Sequence, residues 1–191
     1  MSRALIKPLV TKQKIRLSDH LHYDMNQFIS FFWTILCFAG VLLYWTAAGL
    51  STGFYVFIMI SFVPVFLPRQ VFDRFQLSRS TRFYERLGVK FIRRFVQHGD
   101  IANRFSRKNK PGYRVTGPKN AARAYLKTIA MYERFHLLCL LFFVFTATGA
   151  LLENKFMIAL IIMISNIIYN LCPILLQQYN RIRILKLTET I

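Results

Sequence analysis

The chain has 191 residues, 54 % of them apolar types and 18 % charged, and its 26 Lys and Arg against 8 Asp and Glu leave a formal net charge of +18. So much Leu, Ile, Val and Phe excludes a disordered chain, and the length suits one domain, residues 1–191, rather than two. Only three cysteines occur, Cys37, Cys139 and Cys172, each inside an apolar run, which argues against a disulfide-stapled secreted domain.

The first 24 residues are basic but carry no adjacent apolar core, so a cleaved signal peptide is not expected. The first apolar stretch, residues 27–49, has no charge in 23 residues. As a helix it reaches about 34 Å, enough for a bilayer core of about 30 Å. Trp33 and Trp45 lie toward its two ends, the placement of headgroup-level aromatic belts. The second stretch, 53–68, is shorter and carries Pro64 and Pro68. It could be a tilted span, a span of a thin membrane or one arm of a re-entrant hairpin, and it reads as a span because the linker 50–52 is long enough only to reverse direction. The third and fourth, 135–152 and 156–176, are separated only by Glu153, Asn154 and Lys155 and form a tight hairpin.

Charge orients these spans. No Lys or Arg occurs from 27 to 68 and one occurs in the 153–155 turn. Five precede the first span, seventeen fall between Arg69 and Arg134, and three follow the last. A four-span arrangement therefore puts 25 of the 26 on one side, which the positive-inside rule makes the cytoplasm, with both termini there. Within the basic loop, 69–134, Leu87, Phe91 and Phe95 recur at helical spacing among Arg and Lys, and Gly88 bends or interrupts the pattern. Residues 99–120 are polar and turn-rich, and a helix starting near Pro118 or Asn120 leads into the third span. The expected fold is all-α: a polytopic membrane protein of about four transmembrane helices, with an amphipathic interfacial helix in the cytoplasmic loop.

Three partners suit the basic loop: nucleic acid, anionic lipid headgroups, or a polyanionic small substrate. No nucleic-acid-binding module is recognisable, which leaves membrane lipid and an anionic substrate. Glu133 and His136, three apart, face the same way where the third span begins. A carboxylate that orients an imidazole is an arrangement for general base catalysis, while the structural alternative is a salt bridge anchoring the helix end. His98 and Asp100 flank Gly99 and offer a second acid or base, or a solvated turn. Asn166 and Asn170 share one face of the fourth span, where polar groups need partners, which suggests a helix contact or a substrate-binding site. The exit of that span carries Gln177, Tyr179, Asn180, Arg181 and Arg183, more polar groups than a headgroup anchor needs. No metal-ligand spacing, phosphate loop, dinucleotide fingerprint or Gly-x-Ser-x-Gly elbow occurs, so neither a metal nor a cofactor is expected.

Three blocks, YERLGVKFIRR (84–94), YERFH (132–136) and NLCPILLQQYNRIRIL (170–185), resemble the bacterial glycosyl-4,4'-diaponeurosporenoate acyltransferase family of small polytopic membrane proteins. The resemblance runs from about Gly53 to Leu185. It departs at Phe95-Val96-Gln97-His98-Gly99, where the family pattern has a Leu-Pro-Glu-like segment. It implies a membrane-bound acyltransferase of the bacterial cytoplasmic membrane. Such an enzyme moves a fatty acyl group from an acyl coenzyme, acyl carrier protein or phospholipid to a hydroxyl of a lipid-linked or glycosylated lipid acceptor, a glycosylated carotenoid being one candidate. In that reading Lys90, Arg93, Arg94 and Arg181 hold the donor's anionic head, with Arg183 and Tyr179 beside them. His136, oriented by Glu133, deprotonates the acceptor, and Asn170, Asn180 or Arg181 stabilises the oxyanion. The competing readings are a non-catalytic membrane partner that binds anionic lipid, and a membrane enzyme of another lipid class such as a reductase or methyltransferase.

Overall fold

The computed structural model describes residues 27–95 and 119–189, and within them every regular element is helical. Helix α1 is Gln27–Ala48. Next come α2 (Thr52–Ser61), α3 (Val63–Phe66), α4 (Arg69–Arg74), α5 (Thr81–Arg86) and α6 (Val89–Phe95). The chain then forms the long α7 (Lys119–Leu152), and α8 (Phe156–Asn166) runs through a π turn at Ile167–Leu171 into α9 (Cys172–Glu189). Three helical stretches among the described residues are long and apolar enough to cross a membrane: Gln27–Ala48, Tyr125–Leu152 and Phe156–Lys186.

The second apolar stretch is helical only from Thr52 to Phe66, about 22 Å at 1.5 Å per residue and shorter than a bilayer core. Proline explains its shape. Pro64 has no N–H to return to the Ile60 carbonyl, and the chain kinks at Phe62, whose N–H is shared between the Ile58 and Met59 carbonyls at 3.2 Å each. Leu67 is extended, as a residue before proline must be, and Pro68 starts α4. The expected interfacial helix is not continuous but three short helices. Gly88, at φ +81°, ends α5 and starts α6: its N–H reaches the Glu85 carbonyl (3.1 Å) and its carbonyl accepts from Phe91 (2.8 Å). The last apolar stretch stays helical past Leu176, so α9 carries the polar exit.

The α7–α8 turn closes through Asn154 at φ 61° and a Lys155 N–H bond to the Ala150 carbonyl (2.8 Å). Tyr44 of α1 donates to Glu153 (3.0 Å) and lies under the Lys155 ammonium, so the same turn holds α1. Behind it Val41, Tyr44, Trp45, Phe143, Ala147, Ala150, Ala159 and Ile162 form one core. Trp45 belongs to this core and not to a headgroup belt, because its indole N–H finds Thr146 Oγ1 at 3.1 Å. Phe31, Ile35, Leu43, Met157, Leu160 and Ile164 point outward, the apolar exterior of a membrane bundle. A second core, Tyr84, Val89, Leu176, Tyr179 and Ile182, packs α5 and α6 against α9.

Small residues let the helices approach. A Cβ on Gly149 would lie 3.0 Å from Tyr44 Oη and 3.5 Å from Phe57, and one on Gly40 3.1 Å from Ile161. Gly149→Leu overpacks this contact and destabilises the protein by about 1–3 kcal/mol. Thermal unfolding in detergent checks this, and an unchanged midpoint would show that the helices do not meet there.

Candidate active site

The basic end of the bundle is organised around Arg181. One guanidinium nitrogen, Nη1, donates to Asp73 of α4 at 2.9 Å, and Nη2 faces both carboxylate oxygens of Glu133 on α7. Arg181 and Glu133 are 5 % and 4 % exposed, whereas the Asp73 side chain is 57 % exposed. Three helices distant in sequence therefore meet at one cation. Arg134 adds a second tie: it donates to the Leu67 carbonyl (3.0 Å) and stacks 5.1 Å from the Phe72 ring. Between these groups lies a cavity of about 10 Å³, lined by Phe72, Leu126, Ala130, Glu133, Arg134 and Arg181, the size of one water.

One turn further along α7, the His136 ring belongs to a different network. Its Nδ1 lies 3.5 Å from Asn170 Oδ1, Asn170 Nδ2 donates to Asn166 Oδ1 (2.8 Å), and Asn166 Nδ2 donates to the Leu140 carbonyl (3.2 Å). Asn170 is wholly buried. The pairing expected from the sequence, Glu133 orienting His136, gives way to Glu133 on Arg181 and His136 on Asn170. The π turn makes this possible. Pro173 has no N–H to give the Tyr169 carbonyl four residues back, and Cys172 instead bonds to Ile167, five back. The main chain of Tyr169 then lies beside the imidazole. The Tyr169 ring stands edge-on to His136, centroids 5.8 Å apart, and its hydroxyl meets Thr34 Oγ1 of α1 at 2.9 Å. Thr34 donates to the Ser30 carbonyl, so Tyr169 is the donor in that pair.

The remaining expected residues divide between packing and surface. Lys90 pairs with Glu85 Oε2 (2.8 Å) and Tyr179 donates to Glu85 Oε1 (3.2 Å), while Arg183 stacks 5.5 Å from the Tyr179 ring. Gln177, Asn180 and Arg93 are half-buried and Arg94 is exposed. His98 and Asp100 lie outside the described residues. Arg181, expected to bind substrate, has its guanidinium engaged by two carboxylates. Sequence spacing missed Asp73 and Gln178. The Gln178 Oε1 accepts from Leu77 N–H (3.3 Å) and Tyr84 Oη (3.0 Å), and Nε2 donates to the Phe75 carbonyl (3.1 Å), clamping the α4–α5 segment onto α9. Its only signal was a place three residues before Arg181. An open groove of about 500 Å³, lined by Val65, Lys127, Ala130, Met131, Arg134, Phe135 and Leu138, lies on the flank of α7 opposite His136.

The ion cluster sets two expectations. Arg181→Met leaves the Glu133 carboxylate buried without a counter-charge and destabilises the protein by about 3–5 kcal/mol, and adding Glu133→Leu recovers most of the loss. A double-mutant cycle by chemical unfolding in micelles reads this, and equal losses in single and double variants would contradict it. At Glu85, the Lys90 hydrogen bond, then that of Tyr179, holds the carboxyl below the usual carboxylate range. Its contribution is present above the ordinary carboxylate pKa and fades as pH falls through the lowered folded value. Glu85→Gln therefore flattens the acid side of the stability–pH curve, and a slope identical to wild type would refute the pairing.

The model of the glycosyl-4,4'-diaponeurosporenoate acyltransferase family matches residues 68–190, well over half of the chain. No curated protein and no solved structure matches it. The matched region starts at the Pro68 that opens α4 and takes in the Arg181 cluster, the His136–Asn170–Asn166 ladder and the π turn. With the apolar helices that carry them, these features belong to a membrane-bound acyltransferase, and the chain is a member of the glycosyl-4,4'-diaponeurosporenoate acyltransferase family.

Proposed function

We propose that His136 is the general base of the transfer. It takes the proton from a hydroxyl of a lipid-linked or glycosylated lipid acceptor, a carotenoid glycoside being the acceptor class the family description suggests. The deprotonated oxygen attacks the acyl carbonyl of the donor, and the proton passes to the donor's departing thiol or alcohol. No covalent acyl-enzyme is required. The observation that supports this reading is an imidazole held at the α7–π-turn interface by neutral amides rather than by a carboxylate or a cation. An imidazole with one nitrogen on an amide oxygen keeps its other nitrogen for taking up a proton, which is what a base needs. The donor, an acyl coenzyme, acyl carrier protein or phospholipid, brings an anionic head to the basic face, where Lys90, Arg93, Arg94 and Arg183 cluster around α6 and α9. Gln177 and Asn180, half-buried on the same exit, supply neutral hydrogen bonds to substrate.

In this reading Thr52–Phe66 completes a fourth, thinner crossing, and α4–α6 lie at the interface on the basic side. The positive-inside distribution supports a bacterial cytoplasmic membrane with both termini in the cytoplasm.

The test is lipid mass spectrometry of a deletion strain of the native host, complemented with wild type or His136→Gln at matched protein levels. The expected result is loss of one acylated lipid in the deletion strain and transfer reduced at least about 100-fold by His136→Gln. Wild-type transfer by His136→Gln would remove the base assignment.

A further inference from the structure

The amide ladder between α7 and the π turn has a direction, and its origin is a main-chain group. The Leu140 carbonyl can only accept, so the side-chain atom of Asn166 that meets it must be the NH₂ group. That turns Asn166 Oδ1 the other way, toward Asn170, where it accepts from Nδ2 (2.8 Å). Asn170 in turn presents Oδ1 to the imidazole at 3.5 Å from Nδ1. An amide oxygen accepts and does not donate, so the nitrogen facing it must carry the ring proton. The Tyr169 main chain, freed by Pro173, borders the same ring.

We infer that Asn166 and Asn170 are positioning residues that hold His136 in its Nδ1–H tautomer and leave Nε2 as the nitrogen that receives the substrate proton. The inference rests on the reading of His136 as the base, and it gives both asparagines a role other than substrate contact. Asn170 sets the tautomer and Asn166 fixes which end of Asn170 faces the ring. The Leu140 carbonyl anchors the pair. An aspartate at 170 still offers an oxygen to Nδ1, whereas a leucine offers none.

The experiment is ¹⁵N spectroscopy of the full-length protein, labelled at histidine and held in lipid nanodiscs about two units above the ordinary histidine pKa of about 6.5. Subtracting the His136→Gln spectrum isolates this ring. Wild type is expected to show a protonated Nδ1 and an unprotonated Nε2, and Asn170→Asp to keep that pattern. Asn170→Leu is expected to shift it toward a mixture, and to lower kcat at least about 10-fold with KM unchanged. Asn166→Ala, read the same way, gives a weaker shift and covers the case of an unfolded Asn170→Leu. An Nε2–H ring in wild type, or the wild-type pattern in folded Asn170→Leu, overturns the assignment. A wild-type Nδ1–H ring together with full transfer by His136→Gln leaves the ladder standing and overturns the catalytic reading instead.

Discussion

The ion cluster at Arg181 joins the apolar bundle to its basic end. A guanidinium this deeply buried is costly to desolvate, and the cost is offset only because two carboxylates from different parts of the chain reach it. Glu133 brings α7, Asp73 brings α4, and Arg181 itself sits on the helical extension that follows the π turn. Once these three agree, the Gln178 clamp and the Tyr84–Tyr179 core can form on the same side of α9. The arrangement is more specific than a hydrophobic contact would be: a slip of one residue in α9 turns Arg181 by about 100° and leaves Glu133 buried alone.

Two neighbouring turns of α7 thus have separate tasks. The turn at Glu133 holds the structure together through charge. The turn at His136 keeps its surroundings neutral, with two amides, a main-chain group and an aromatic edge. Had Glu133 faced the imidazole, as its spacing in the sequence suggested, the ring would have gained a counter-ion and Arg181 would have lost one. The division therefore keeps the carboxylate with the cation that most needs it.

Much of this was legible in the sequence. The apolar runs located α1, α7 and α8, and the three-residue turn at 153–155 forced a hairpin. Spacing also put Glu133 with His136 on one helix face, and Asn166 with Asn170 on another. Spacing on one helix, however, says which way a side chain points and not what it meets, so the partners of Glu133 and His136 were exchanged. The π turn hid more. By inserting an extra residue it shifts the helical phase between Asn166 and Arg181, and Gln178 rather than the motif residue Gln177 faces α4 and α5. Asp73 gave no signal because the segment that carries it folds back through Pro64 and Pro68. Trp45 misled for a simpler reason: a tryptophan near the end of an apolar run suits a headgroup belt or a core equally until its N–H finds Thr146.

The ladder that ends on His136 begins at a peptide carbonyl, and that has a consequence for how the site can vary among relatives. The side chain at position 140 contributes nothing to the anchor, so leucine there can drift to any residue the packing of α7 tolerates without disturbing the imidazole. Variation is confined instead to positions 166 and 170, where a change in one amide is felt by the other. The tether cannot be lost by substitution at its own residue, only by distortion of the helix that presents it.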